Sequence, residues 1–171
     1  TPQDYKEAAR LFRISAEQKY DKAQFKMGSI FEEGVVVSQN LKEAVKWYVL
    51  SAEQGFAPAK IKLYELAKKN LPQAVEFLRY DADIGITEAQ RTLGEIYSQG
   101  LMLPANYSEA HMWFSIAILR GNKNVITDRN ELEKKMSPSQ IEEAQELARN
   151  WRPDRVKIFW EQFKDHFEEY L

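Results

Sequence analysis

The side chains that could act as acids, bases, nucleophiles or metal ligands are few in this sequence. It contains two histidines, His111 and His166, which lie far apart, and no cysteine. Neither histidine has a second metal ligand at helical or loop spacing, so we expect no metal site. Ser115 follows His111 by one helical turn, but the sequence places no acid beside this pair. We therefore expect no catalytic residue, no cofactor and no metal ion.

Carboxylate pairs and short motifs lead to the same expectation. The pairs Glu32–Glu33, Glu142–Glu143 and Glu168–Glu169 are adjacent in predicted helices. Adjacent helical side chains diverge by about 100° and suit solvent better than a shared acid–base site. The sequence contains no glycine-rich phosphate loop, no H-E-x-x-H and no G-x-S-x-G.

The charge balance and hydropathy exclude two classes of partner. The chain has 24 basic and 26 acidic residues and a formal net charge of −2. A nucleic-acid-binding protein normally carries a basic face, so we expect no nucleic-acid partner. No apolar run approaches the roughly 18 residues that span a bilayer, so we expect no integral membrane segment. The chain begins at Thr1 without a visible signal peptide, which is compatible either with a leader already removed or with a trimmed sequence.

The elements that position these side chains are predicted to be helices. The 171 residues are 44% hydrophobic and include only seven glycines and six prolines, a composition typical of helical domains. One pattern recurs four times and starts at Ala8, Ala44, Ala74 and Ala110. Counted from the starting alanine, each copy has large apolar residues at positions +3 and +4 and usually a small residue at +8. Position +11 is glycine in every copy except the first. We call it the second-helix pattern; its second copy is Ala44, Trp47, Tyr48, Ala52 and Gly55.

A different pattern precedes three of these copies, and we call it the first-helix pattern. Its copies are Ala23, Met27, Gly28, Phe31, Gly34, then the degenerate Ala59, Leu63, Tyr64, Ala67, Asn70, then Ala89, Leu93, Gly94, Tyr97, Gly100. Apolar spacings of three and four predict helices, and a glycine after the pattern suits a helix end. Each unit is therefore expected to be two antiparallel helices. Gly28 and Gly94 lie inside their helices and predict a close approach of another helix.

The segments between the helices are also informative. Asp4, Asn40 and Asn106 occupy corresponding positions before the second-helix pattern and are expected to be helix N-caps. The middle unit is shorter, which predicts a tighter corner near Asn70. Further along, Ser137 and Gln140 predict a capping box at the start of another helix.

Fragments of both patterns are specific enough to indicate a family. They are the A-x3-L-G-x2-Y first helix and the stretches Ser51-Ala52-Glu53-Gln54-Gly55 and Ser15-Ala16-Glu17-Gln18. They resemble the Sel-one-like repeat (SLR) family, a bacterially abundant relative of the tetratricopeptide repeats. The resemblance implies an all-α fold, an α/α superhelix or solenoid of about three SLR helix-turn-helix units with capping helices at both ends. We expect one solenoid domain over residues 1–171, divided into a partial repeat 1–20, repeat 21–56, short degenerate repeat 57–86, repeat 87–122, terminating helices 123–152 and a C-terminal helix 153–171.

The last of these helices carries an aromatic stripe. Its members are Val156, Phe159, Trp160, Phe163, Phe167 and Tyr170. One interpretation is a cap that packs on the final repeat; the other is a helix that binds a partner or a second copy through an exposed apolar face. We accordingly expect a monomer, or a weak dimer formed through this helix.

The resemblance also implies where a partner binds. In the tetratricopeptide relatives, ligand-facing residues lie three before, one after and four after the small residue of the first helix, on the concave surface. Carried over, these partner-binding positions are Phe25, Ser29, Glu32, Ile61, Glu65, Lys68, Arg91, Glu95 and Ser98. Phe25 and Ile61 are apolar, so each would either fill a partner-binding groove or supplement the core.

We therefore expect a non-enzymatic scaffold or adaptor that binds another protein or a peptide. The resemblance implies roles in envelope signalling, secretion or virulence, and we favour the bacterial periplasm or secretion over the cytoplasm. One alternative is an immunity protein that neutralises a cognate toxin. Another is an enzyme-like relative that binds β-lactams or peptidoglycan, although the cysteines of those relatives are missing here.

Overall fold

The computed structural model of the chain describes residues 2–101 and 105–152. All regular elements in these two ranges are helical. The α-helices are α1 Pro2–Glu17, α2 Asp21–Glu33, α3 Leu41–Glu53, α4 Ala57–Lys68, α5 Pro72–Asp83, α6 Thr87–Gln99, α7 Tyr107–Leu119, α8 Ile126–Glu133 and α9 Pro138–Asn150, with a 3-10 turn at Lys123–Val125. This confirms the all-α fold class. The aromatic stripe of residues 153–171, and with it the choice between cap and interface, lies outside the described residues.

The ends of the helices follow local sequence signals. α2 and α6 are followed by Gly34 and Gly100, whose φ angles of +69° and +65° lie in the left-handed region that favours glycine. The side chains of Asn40 and Asn106 each accept a hydrogen bond of 3.1 Å from the backbone N–H three residues later. The predicted N-caps of α3 and α7 are therefore confirmed.

Three other predictions about helix ends have mixed outcomes. Asn70 has a φ of +61° just before Pro72 opens α5, which confirms the predicted tight corner. Ser137 and Gln140 form both hydrogen bonds of a capping box, as predicted. The prediction for Asp4 is wrong, because α1 already begins at Pro2 and places Asp4 in its first turn. Proline fits the first turn of a helix, since its missing N–H has no intrahelical acceptor there.

Glycines inside two first helices set the approach of the second helices. A Cβ added at Gly28 would lie 2.5 Å from the Tyr48 ring, and a Cβ added at Gly94 would overlap the Phe114 ring in the same way. Both distances are far below van der Waals contact, so any side chain would push the helices apart. The close approach predicted from the sequence is therefore confirmed for α2 with α3 and for α6 with α7.

The chain divides into two compact units, residues 1–67 with 71–75 and residues 68–70 with 76 onward. In the first unit, α2 packs on α1 and α3, and Ala16, Ala23, Met27 and Trp47 form a buried apolar cluster. In the second unit, α7 packs on α6, α8 and α9. Its core includes the buried side chains of Leu93, Ile96, Phe114, Leu132 and Ala144. The expected domain and repeat borders stay a prediction.

None of the described helices combines the length and the apolar character that crossing a bilayer requires.

Candidate functional site

In the first unit, the predicted position Glu32 accepts a hydrogen bond from the second helix. The Tyr48 hydroxyl donates to Glu32 at 2.6 Å and lies 3.4 Å from Ser29 Oγ. Burial, reinforced by the Glu32 carboxylate, raises the pKa of Tyr48 above its ordinary value. The phenol therefore stays protonated and holds the Glu32 carboxylate in place on the surface of α2.

A lysine outside the nine predicted positions joins two of them. Lys62 Nζ lies 3.4 Å from Glu32 and 3.5 Å from Glu65. Desolvation lowers the pKa of Lys62, but the two carboxylates outweigh it and raise that pKa overall. The signal available in the sequence was the spacing of three between Lys62 and Glu65, which allows an ion pair on one helix face. Glu32, Lys62 and Glu65 thus form one charged cluster, the α2–α4 cluster.

The two apolar positions have different surroundings. The Phe25 ring is half-buried and packs against Tyr48 and Phe56, with centroid distances of 5.4 and 5.3 Å. Ile61 on α4 is 59% exposed. Of the two interpretations offered for these residues, Phe25 supplements an aromatic cluster, whereas Ile61 presents an apolar side chain to solvent.

In the second unit, three predicted positions pair with each other. Lys68 Nζ lies 2.6 Å from Glu95, and Arg91 pairs with the same carboxylate. Arg91 also bonds Glu88, a residue that the sequence reasoning missed although its spacing of three from Arg91 is favourable for an ion pair. The hydrogen bond from Arg91 lowers the pKa of Glu88. We call Lys68, Glu88, Arg91 and Glu95 the α6 cluster; Ser98 lies outside it and donates to the Glu95 carbonyl at 3.0 Å.

Both clusters combine donors and acceptors that helices hold in place. Carboxylates accept hydrogen bonds, while guanidinium and ammonium groups donate them, so each cluster is able to bind the polar groups of a polypeptide. Their side chains are partly exposed and therefore accessible without unfolding.

The histidine singled out in the sequence has an unexpected acidic neighbour. His111 is buried. Its Nε2 atom lies 2.7 Å from Glu133 Oε1, and its Nδ1 atom lies 3.3 Å from Ser115 Oγ. The expectation that no acid stands beside this pair is wrong, because α8 packs on α7 and brings Glu133 in. In serine hydrolases the serine contacts Nε2 and the acid Nδ1, the reverse of this arrangement. Within the described residues, no group of three or more histidines and carboxylates is arranged to hold a metal ion.

A family model gives an independent comparison. The model described as Sel1 repeat matches residues 1–20, 21–56 and 87–122, which together are more than half of the chain. A comparison with curated protein sequences finds no match.

Two solved structures are similar to this chain. A Sel1 repeat protein from Oxalobacter formigenes is 25% identical with a TM-score of 0.51, and the match covers 82% of this chain and 64% of that one. A protective antigen present in uropathogenic Escherichia coli strains, displaying an SLR fold, is 26% identical with a TM-score of 0.46, covering 92% of this chain and 43% of that one. The chain thus spans less than two thirds of either protein.

Proposed function

The chain belongs to the Sel1 repeat family, and from this premise we propose that it is a protein-interaction module without catalytic activity that binds a polypeptide segment through its first helices. Sel1 repeats generally act as protein-interaction scaffolds, and their fold is typically non-catalytic. Repeat proteins commonly bind their partners through equivalent positions of their repeats. The contact residues in this proposal are Phe25, Ser29, Glu32, Ile61, Glu65, Lys68, Arg91, Glu95 and Ser98.

The observation that carries the proposal is the pairing of charges at these positions. Glu32 and Glu65 share Lys62, while Lys68 and Arg91 share Glu95. Partly exposed ion pairs contribute only about 0–1 kcal/mol to the free energy of unfolding, so the fold does not depend strongly on these pairs. Side chains that are already ordered lose little entropy when they bind a partner. These clusters are therefore suited to recognition.

The exposed Ile61 adds an apolar contact to this surface. It lies beside Lys62 on α4 and is able to pack against an apolar side chain of the bound segment. We propose a partner segment that has an apolar residue flanked by charged ones of both signs. Burial of one exposed aliphatic side chain contributes on the order of 1 kcal/mol or more.

The test uses a peptide display library selected on the immobilised chain. Selected peptides are synthesised, and their affinities are measured for the wild type and for Glu65→Lys, Arg91→Glu and the double variant. We expect the double variant to bind at least about tenfold more weakly, because each reversal puts a like charge beside the remaining partners.

An ion pair of the same kind outside these positions provides the control. Arg10 and Glu7 pair at 2.7 Å on α1, so Glu7→Arg with Arg10→Glu changes charges without touching the proposed surface. This control should bind selected peptides like the wild type, and circular dichroism should show that every variant keeps the helical fold. Unchanged peptide affinity in the Glu65→Lys/Arg91→Glu variant would refute the proposed surface.

The biological setting stays a prediction. Roles in envelope signalling, secretion, virulence or toxin neutralisation would all employ a surface of this kind, and the peptides selected in the test define its sequence preference.

A further inference from the structure

Each of the two compact units contains a similar corner, where a second helix ends and the next first helix begins. Gln24 and Gln90 each follow the alanine that starts the first-helix pattern, and both side chains are buried. Gln24 Nε2 donates a hydrogen bond of 3.3 Å to the Ala16 carbonyl, and Gln90 Nε2 donates one of 2.9 Å to the Ala82 carbonyl. Each glutamine thus ties its first helix to the end of the preceding second helix.

The side-chain oxygen atoms of these two glutamines have different surroundings. In the first unit, Gln54 Nε2 donates to Gln24 Oε1 at 2.5 Å. In the second unit, Gln90 Oε1 is buried and no described residue donates a hydrogen bond to it. The residue of α7 that corresponds to Gln54 in the second-helix pattern is Arg120. A buried acceptor without a donor destabilises the folded state, so an arrangement that brings a donor to Gln90 is favoured.

Arg120 is engaged with Trp151 instead, the residue that follows α9. Its guanidinium lies 5.0 Å from the centroid of the Trp151 ring, which is the distance of a cation–π interaction. Two further contacts hold Trp151: its Nε1 donates to Asp83 at 3.3 Å, and its ring meets the Trp113 ring edge to face at a centroid distance of 6.4 Å. Arg120 is therefore one of three groups that attach the end of α9 to the second unit.

The Gln90 side chain lies within reach of the same arginine. The Arg120 guanidinium rests on Gly85, where any side chain would overlap it. The Gly85 N–H donates at 3.1 Å to the Ala82 carbonyl, which is also the acceptor of Gln90 Nε2. In the first unit, the shorter side chain of Gln54 already spans the corresponding distance. A rotation of the Arg120 side chain would therefore bring a donor to Gln90 Oε1.

We propose that Arg120 alternates between two positions and thereby controls the attachment of the end of α9. In the Trp151 position, which the structure shows, the guanidinium lies on the Trp151 ring. In the Gln90 position, it donates a hydrogen bond to Gln90 Oε1. This hydrogen bond offsets part of the contact that is lost, so Trp151 is able to detach while the second unit stays folded.

Detachment of Trp151 changes the surface that α7 presents. The Trp113 ring is buried in the structure, and Trp151 is one of the residues packed against it. When Trp151 leaves, both indole rings become accessible, and each offers a large apolar area together with an N–H donor. The exchange of Arg120 is thus a conformational device that exposes an aromatic surface in one of its two states.

A thermodynamic cycle on the full chain tests the exchange. Trp151→Ala is made in the wild type and in Gln90→Leu, and urea unfolding followed by circular dichroism gives each folding equilibrium constant. In the wild type, Arg120 recovers part of the lost contact by moving to Gln90. We therefore expect Trp151→Ala to lower the folding equilibrium constant at least about twofold more in the Gln90→Leu background than in the wild type.

Arg120→Met supplies the control for this cycle. Methionine has an extended side chain but no donor, so it cannot form the hydrogen bond to Gln90. In the Arg120→Met background, Trp151→Ala should have the same effect with and without Gln90→Leu. Arg120 is exposed, so we expect this background to keep the helical fold.

Fluorine NMR observes Trp151 without any substitution in the core. The sequence has four tryptophans, so a chain labelled with 5-fluorotryptophan gives four signals, and Trp151→Phe identifies that of Trp151. The change of a signal between H2O and D2O reports its exposure to solvent. Arg120→Gln removes the cation from the ring and recreates the glutamine pair of the first unit, so it should increase this change for Trp151. Lys123→Gln, at an exposed cation nearby, should leave it as in the wild type.

Each measurement is able to overturn the proposal. Equal effects of Trp151→Ala in the wild type and in Gln90→Leu would show that Arg120 does not move to Gln90. Coupling that persists in Arg120→Met would assign it to another residue. A Trp151 fluorine signal that Arg120→Gln leaves unchanged would show that the arginine does not hold the ring. Gln90, Arg120 and Trp151 are not among the nine partner-binding positions, so these results are independent of the display experiment.

Discussion

Single residues determine how the chain turns between helices, and two of them do so without glycine. Lys19 and Asn70 have φ angles of +64° and +61° at positions where the other pattern copies have glycine. The Cβ atom of an L-residue is crowded in this conformation at a cost of roughly 1–2 kcal/mol, and asparagine tolerates it better than most residues. Of these two positions, Lys19 therefore carries the greater strain.

Replacing Lys19 with glycine should stabilise the protein. Lys19→Gly removes the crowded Cβ, and the gain exceeds the entropy that glycine adds to the unfolded chain, leaving a net gain of about 0.5–1 kcal/mol in the free energy of unfolding. Urea denaturation monitored by circular dichroism measures it. Asn70→Gly is the matched control and should gain less. A Lys19→Gly variant less stable than the wild type would contradict the assignment of strain.

Asp83 is a residue whose charge opposes folding. It ends α5, lies half-buried, and accepts a hydrogen bond of 3.3 Å from Trp151 Nε1. Burial raises the pKa of Asp83, whereas the Trp151 hydrogen bond and the Arg79 charge lower it. The effect of burial is the largest, so the pKa of Asp83 is raised overall. The C-terminal end of a helix also disfavours negative charge. The pKa of Asp83 in the folded protein lies above the unfolded value of 3.8. The destabilisation of the folded state by the Asp83 charge is therefore fully present above the folded pKa, and it disappears as the pH falls below 3.8.

Asp83→Asn should therefore raise the unfolding temperature at pH 7. The amide oxygen still accepts the Trp151 hydrogen bond, while the buried charge is gone. The advantage over the wild type should shrink as the pH is lowered toward 3.8. Glu88→Gln provides the opposite case, because Arg91 lowers the pKa of Glu88. That variant should be less stable than the wild type at pH 7, and its deficit should vanish in acid. Parallel pH profiles for wild type and Asp83→Asn would refute the argument.

Among the helices, α7 connects most of the second unit. It packs on α6, α8 and α9, and its buried His111 reaches Glu133 on α8. Arg129 Nε lies 3.4 Å from the same carboxylate, one helical turn earlier on α8. A polar bridge of this kind fixes the position of a short helix that buries little apolar surface of its own, since Leu132 is the buried apolar residue of α8.

Removing the carboxylate should loosen α8. Glu133→Ala leaves the buried His111 Nε2 without its partner, and an unsatisfied buried polar group costs about 1–3 kcal/mol. Thermal or urea unfolding measures the loss. Glu131→Ala, on the same helix and in an exposed ion pair with Lys134, should change stability by no more than about 0.5 kcal/mol. Equal effects of the two substitutions would show that the His111 bridge contributes nothing.

Across the whole molecule, a contact is predictable from the sequence when few residues separate its two partners along the chain. The N-caps at Asn40 and Asn106 and the corner at Asn70 arise from contacts within a few residues, so the pattern alone indicates them. The contacts of Gly28 and Gly94 were predictable because the repeat pairs the same helices in each unit. Glu133 escaped prediction because it reaches His111 from another helix, 22 residues away and outside the repeat pattern.

The candidate site shows the same division. The register of a helix places Glu32, Glu65 and Glu95 on particular faces, which is information that the sequence contains. Which lysine or arginine each carboxylate meets depends on side chains from neighbouring helices, as with Lys62 and Lys68. The pattern therefore indicated positions, and the structure supplied most of their partners.

The two compact units predict how the molecule opens. In repeat proteins each element interacts mainly with its neighbours, so a local perturbation destabilises its own surroundings most. Gly28→Ala forces a methyl group into the Tyr48 ring in the first unit, and Gly94→Ala does so at Phe114 in the second. Each overpacking should cost about 1–3 kcal/mol, reduced by the better helix propensity of alanine.

Native-state hydrogen exchange shows which helices each substitution destabilises. Gly28→Ala should reduce the protection of amides in α2 and α3 more than in α6 and α7, and Gly94→Ala should do the reverse. The pair is matched in chemistry, in helix position and in the kind of ring opposed, so differences in exchange report location alone. If both substitutions lowered protection equally in all four helices, the chain would open as one cooperative unit, and the nearest-neighbour behaviour of a repeat fold would not hold for it.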